Sequence, residues 1–241
     1  GAMFIQSNDV NIKDTSFESN VAEGNYSTGT GLGGGLYLLG QNPDFVNVNF
    51  TKNDATLGGG VYIEGNNVDA SNINLYNNTA VQGGAVYIAG NDITLDKITA
   101  KENNAIQGGA IYIQGQNTEV YNSTFEDNLV TRDIDLIKPG AETLKTMGGG
   151  IYINGNNVAV MGNNTFRRNI ASGSIDGGLG GAIAIEGGNT IIYDGQFTLN
   201  EAVRGGAIYV DGANATVKDM YFTTNNAVQG GSIFINGANT N

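Results

Sequence analysis

The chain has 241 residues, with 23 acidic against 11 basic side chains and a formal net charge of −12. That balance argues against nucleic acid and anionic membrane surfaces as partners, because both select basic patches. There is no Cys and no His, which removes disulfides, thiol nucleophiles, His-based catalytic triads and ordinary zinc sites. No apolar run approaches the ~20 residues of a membrane helix.

In chain order, the first recognisable element is Ala2-Met3-Phe4-Ile5, the tail of a unit that returns complete at 33–40, 58–65, 83–90, 108–115, 148–155, 180–187, 205–212 and 230–237. Each copy has two glycines, a small residue and an apolar triplet whose middle residue is aromatic in all but the copy with Ala184, as in Gly83-Gly84-Ala85-Val86-Tyr87-Ile88. The second glycines stand at 34, 59, 84, 109, 149, 181, 206 and 231, so the base unit is 25 residues. Three units are longer, with insertions at 21–32, 129–147 and 170–179, all between a recurring Asn and the glycine pair. The mixed charge and Leu/Ile content of 129–147 suits a short helical excursion, and Asp133 and Asp135 within it are a weak metal signal on their own.

Two further columns complete the unit. A Phe-like position (Phe17, Phe50, Leu75, Ala100, Phe125, Phe166, Phe197, Phe222) is followed three residues later by Asn20, Asn53, Asn78, Asn103, Asn128, Asn169, Asn200 and Asn225. Apolar residues alternate at period two, as in Val86/Ile88, Ile93/Leu95 and Ile73/Leu75, and helical spacing is absent. Three short strands per 25 residues, broken by Asn and Gly turns, predict one all-β domain over 1–241. The expected fold is a right-handed parallel β-helix of about nine coils. At ~4.8 Å per coil the rod is roughly 40 Å long. Both ends fall inside a repeat, which is the expectation for a segment of a longer protein. The Asn columns are expected to form structural ladders between coils.

If Val86 and Ile88 face the core, Tyr87 faces out. The outward column then runs Phe4, Tyr37, Tyr62, Tyr87, Tyr112, Tyr152, Ala184, Tyr209, Phe234. An exposed strip of this kind suits sugar rings or a partner protein; the same rings stacked on one another would instead stabilise the sheet. Tyr112, Tyr152 and Tyr209 are the candidate binding residues, with Tyr152 and Tyr209 walling a shallow pocket at Ala184. Glu186 and Asp211, one coil apart and two residues past the aromatic column, join them. Those two carboxylates are read as solvated surface, a cation pair or a glycosidase-like acid pair. No catalytic residue, cofactor or metal site is assigned.

The pairing of Phe-x-x-Asn (Phe125–Asn128, Phe197–Asn200, Phe222–Asn225) with Gly-Gly-Ala-Ile/Val (at Gly84, Gly109 and Gly206) resembles the repeats of chlamydial polymorphic membrane proteins. It is also similar to adhesin-like surface proteins of methanogenic archaea. The resemblance spans nearly the whole chain outside the insertions; the absence of Cys departs from many chlamydial members. It implies a secreted or cell-surface β-helix acting in adhesion, with a glycan or protein of another cell as partner. It supplies no catalytic residues. The expected state is a monomer, neither membrane-spanning nor bound to nucleic acid. A polysaccharide lyase or hydrolase using the same face, and a passive stalk, are the alternatives.

Overall fold

The computed structural model describes residues 1–133, 137–174 and 176–240. The chain is a parallel β-helix. Its first sheet stacks nine three-residue strands, from Met3–Ile5 to Ile233–Ile235, one from each glycine-led triplet. The 25-residue repeat sets the register: Val61 lies on Val86 and Val86 on Ile111. The insertions leave it untouched, since Ile111 pairs with Ile151 and Ile151 with Ile183 although 40 and 32 residues separate them.

The second sheet, of twelve strands, is built from the stretch after the polar turn. In the early coils this stretch is one long strand, such as Val68–Tyr76 or Ile93–Lys101. Each bends at a residue in the left-handed region, Asn72 at φ 55° and Lys97 at φ 54°. From Thr118–Tyr121 and Thr124–Glu126 onward the bend splits the strand in two. The third sheet has five short strands, among them Asn104–Ala105 and Asn226–Gln229.

Positive φ marks every corner. One column runs Asn42, Asn67, Asp92, Asn117, Asn157, Asn189, Asn214, all between 53° and 59°. Asn and Asp tolerate this region because their short polar side chains bond locally. Before each triplet the corner tightens further. Gly83 has φ 61°, and a Cβ there would collide with the Val86 carbonyl, so only glycine fits.

The interior is apolar, with the Phe column at its centre. Phe125, Phe166 and Phe197 stack at 4.8 Å between centroids, within 6° of parallel. Beside them runs the inner Asn ladder. Asn200 Nδ2 donates to Asn225 Oδ1 at 3.0 Å and to the Phe166 carbonyl at 3.0 Å. Its Oδ1 accepts from both the backbone N–H and Nδ2 of Asn169. The same four bonds recur at Asn53, Asn78, Asn103, Asn128 and Asn169, so a buried amide is fully satisfied at each coil. Among the described residues no helix is long and apolar enough to cross a membrane.

Candidate functional site

The aromatic column faces away from the Phe-centred interior, as the alternation requires, but it is not an exposed strip. Tyr87, Tyr112 and Tyr209 are 5% exposed and Tyr152 is 3% exposed. The rings form a second apolar layer with Leu57, Met147 and Leu179. Three physical causes bury them. In-register stacking hides the ring faces: Tyr87 and Tyr112 lie 4.7 Å apart at 5°, and Tyr62 and Tyr87 5.1 Å apart at 15°. The residues before the glycine pairs form a parallel rail beside the rings, running Leu57, Gln82, Gln107, Met147, Leu179. Finally, Tyr26 of the first insertion packs onto the layer from above.

The hydroxyls are engaged across coils. Tyr87 donates to Gln114 at 2.5 Å, Tyr152 to Glu186 at 2.5 Å and Tyr37 to Glu64 at 2.6 Å; the Tyr112 hydroxyl accepts from Asn154 at 3.4 Å. Burial is the main reason that the Tyr112 phenol is pushed up to about 12. Tyr87 and Tyr152 are raised further, again first by burial, with the Glu186 carboxylate adding to the effect at Tyr152.

The insertions do emerge on this flank, but they fold onto it. Ser27 N–H donates to the Pro139 carbonyl at 3.0 Å, tying the first insertion to the second. Lys138 reaches back along the rod to the Ala55 carbonyl at 2.9 Å and Asp54 at 3.3 Å. Ala141 is buried against Val81 and Ile106, with Tyr26, Ile137 and Leu144 around it. The third insertion is joined to the second through Gly178 N–H and Thr146 Oγ1 at 2.7 Å. The helical excursion expected in 129–147 falls partly outside the described residues, and the described residues of this insertion form no helix; a 3-10 turn is described at Tyr26–Thr28. Asp135 lies outside the described residues.

The pocket expected at Ala184 is closed. Ala184 has no exposed surface and belongs to the same buried layer as Tyr152, Tyr209 and Leu179. Glu186 and Asp211 are exposed but hold separate partners. Glu186 accepts from Tyr152, and Asp211 accepts from Asn236 Nδ2 at 2.7 Å. Among the described residues no three acidic, His or Cys side chains are grouped as metal ligands. Of the five candidate binding residues, three tyrosines are sealed and two carboxylates are open to solvent.

Within the column only Phe4, at its N-terminal end, is exposed, at 56%; further exposed aromatic surface lies on the second sheet, toward the C-terminal coils. Ile191 is 40% exposed, Tyr193 37% and Tyr221 65%. Lys218 Nζ sits 4.9 Å from the centroid of the Tyr193 ring. The sequence carried a signal for this face: in Ile191-Ile192-Tyr193, an inward Ile192 turns both neighbours outward. No family model, no curated protein and no solved structure matches the chain, so its likeness to surface adhesins rests on the two repeat motifs alone.

Proposed function

We propose that the chain is a non-enzymatic, extracellular binding module of adhesin type. It is a stiff rod that holds one long face open to a glycan or protein of another cell. The observation that supports this most is the division of labour between its flanks. On one flank the second insertion is bonded to both the first and the third, and the three contribute to the layer that buries Tyr87, Tyr112 and Tyr152. The second sheet carries no such cover and presents exposed Ile191, Tyr193 and Tyr221. Long loops usually bear the contacts of a rigid scaffold; here their buried apolar contacts make them braces, and the contact role passes to the open sheet.

The stalk is the second reading, and the burial of Tyr112, Tyr152 and Tyr209 favours it, because the most regular aromatic array in the chain is spent on rigidity. The enzymatic alternative would use Glu186 and Asp211 as an acid pair, and their separate hydrogen bonds to Tyr152 and Asn236 lend it no support. A glycan and cell-surface-protein array, probed with the chain with and without calcium, tests the proposal. Saturable binding to at least one class is expected. Binding to neither class contradicts the proposal and leaves the stalk.

A further inference from the structure

The outward positions of the second sheet change character along the rod. In the early coils they are polar and acidic: Asp44 pairs in register with Asp69, and Asp69 with Thr94. From the next coil onward apolar and aromatic residues enter these positions. Tyr121 pairs with Met161 and Ala159 with Ile191, and Tyr193 stands two residues past Ile191 on the same outward side, so these coils carry an apolar patch, bounded by Glu119, which pairs with Ala159, and by Thr216 and Lys218, which pair with Ile191 and Tyr193. The patch is bordered by the corner that follows it in each coil. There Asn163, Asp194 and Asp219 hold positive φ at 53°, 56° and 54° and set a carboxamide or carboxylate beside each apolar step.

We infer that this patch is a binding site for a neutral polysaccharide lying along the rod axis. The inference rests on the binding reading above and names its ligand class and location. The chemistry matches on three counts. Exposed tyrosine and aliphatic surface takes up the C–H faces of a sugar ring, an amphipathic use to which Tyr is suited. Asp and Asn at the border accept and donate to vicinal hydroxyls, and a small number of such polar groups is what fixes orientation in a site. The coils that carry the patch also advance by ~4.8 Å each, comparable with the advance per residue of an extended β-linked hexose chain. Charge selects the neutral class. The chain carries −12, and Asp194 and Asp219 line the border, so an anionic polymer is repelled. Lys218, over the Tyr193 ring, is a single cation against Asp194 and Asp219, and the nearby guanidinium groups add little, because Arg167 is paired with Glu126 and Arg168 with Glu126 and Asp127.

Native affinity electrophoresis tests the inference, with hydroxyethylcellulose, galactomannan or laminarin in the gel and polygalacturonate as the anionic comparator. At least one neutral polymer is expected to retard the chain, and polygalacturonate is not. Retardation should weaken about tenfold or more in the Ile191→Ser/Tyr193→Ala double variant, with cooperative melting retained because both side chains point away from the core. Val228→Ser, at a 77% exposed position on the third sheet, should leave it unchanged. Retardation by no neutral polymer, or equal retardation of the double variant, overturns the inference. If the array still shows saturable binding to a protein or an anionic glycan, the binding module stands and only the ligand assignment falls.

Discussion

Three side chains show how a repeat can be exact in backbone and uneven in chemistry. Leu199 occupies a corner column at φ 58°, where an L residue with a branched carbon chain has no local bond to offer in return. It is largely exposed, and its N–H is bonded to Thr223 by backbone alone. Leu199→Asn is therefore expected to raise stability by about 1 kcal/mol, read as a higher denaturant midpoint at unchanged slope. Thr118 is fully buried, stacks on Ile93 in register and leaves Oγ1 without a hydrogen-bond partner. Thr118→Val keeps the shape and removes the orphan hydroxyl, so a gain of about 1 kcal/mol is expected; a loss would mean the hydroxyl has a partner in solution. Asn200→Ala removes the acceptor for two Asn169 donors and the amide bonded to Phe166. Chemical denaturation should show a loss of about 1–3 kcal/mol, and an unchanged midpoint would remove the ladder from the account.

Among elements, the tyrosine column and the insertions behave as one layer. The phenols of Tyr87, Tyr112 and Tyr152 are held protonated by burial in the folded state, with Tyr112 at about 12. An unfolded tyrosine titrates near ~10. The stabilisation from this difference is therefore complete below about pH 10 and is lost as pH rises through the folded values. The melting midpoint should fall steeply between about pH 10 and 12, and phenolate absorbance should lag that of the denatured chain over the same interval. A midpoint that stays flat there would show the column open to solvent. Ala141 is the keystone of the brace, buried against Val81 and Ile106. Ala141→Glu should detach the second insertion and speed tryptic cleavage after Lys145 by at least severalfold; cleavage at the native rate would contradict the brace.

At the scale of the whole molecule, most of the architecture was legible in the chain. The 25-residue period, the inward Val86 and Ile88 and the Asn column come directly from spacing, because a coil that stacks in register must repeat its chemistry at each step. Gly90 shows why: a Cβ there would collide with the Gly65 carbonyl of the coil below, so the spacing of glycines records the contact between coils. Burial on the outer side was not legible in this way. Alternation gives the direction of Tyr112 and Tyr152 but says nothing of what lies over them. That depends on ring stacking between coils and on Tyr26, more than eighty residues earlier in the chain. The exposed patch was legible in part, through Ile191-Ile192-Tyr193, but the regular tyrosine column was the stronger pattern. In a solenoid, regularity marks what is stacked, and here the stacked residues are structural.

We propose that the buried tyrosine column supports the rod while the open second sheet makes the contacts. Retention under flow tests it most directly, using beads coated with wild type, Tyr112→Leu or Tyr193→Ser on a surface bearing the ligand class the array identifies. Tyr193→Ser is expected to lose retention while still folded. Tyr112→Leu is expected to melt lower yet, below its transition, to be retained as well as wild type. Retention lost in Tyr112→Leu while still folded, with Tyr193→Ser unaffected, would contradict the account and return the contact surface to the tyrosine column.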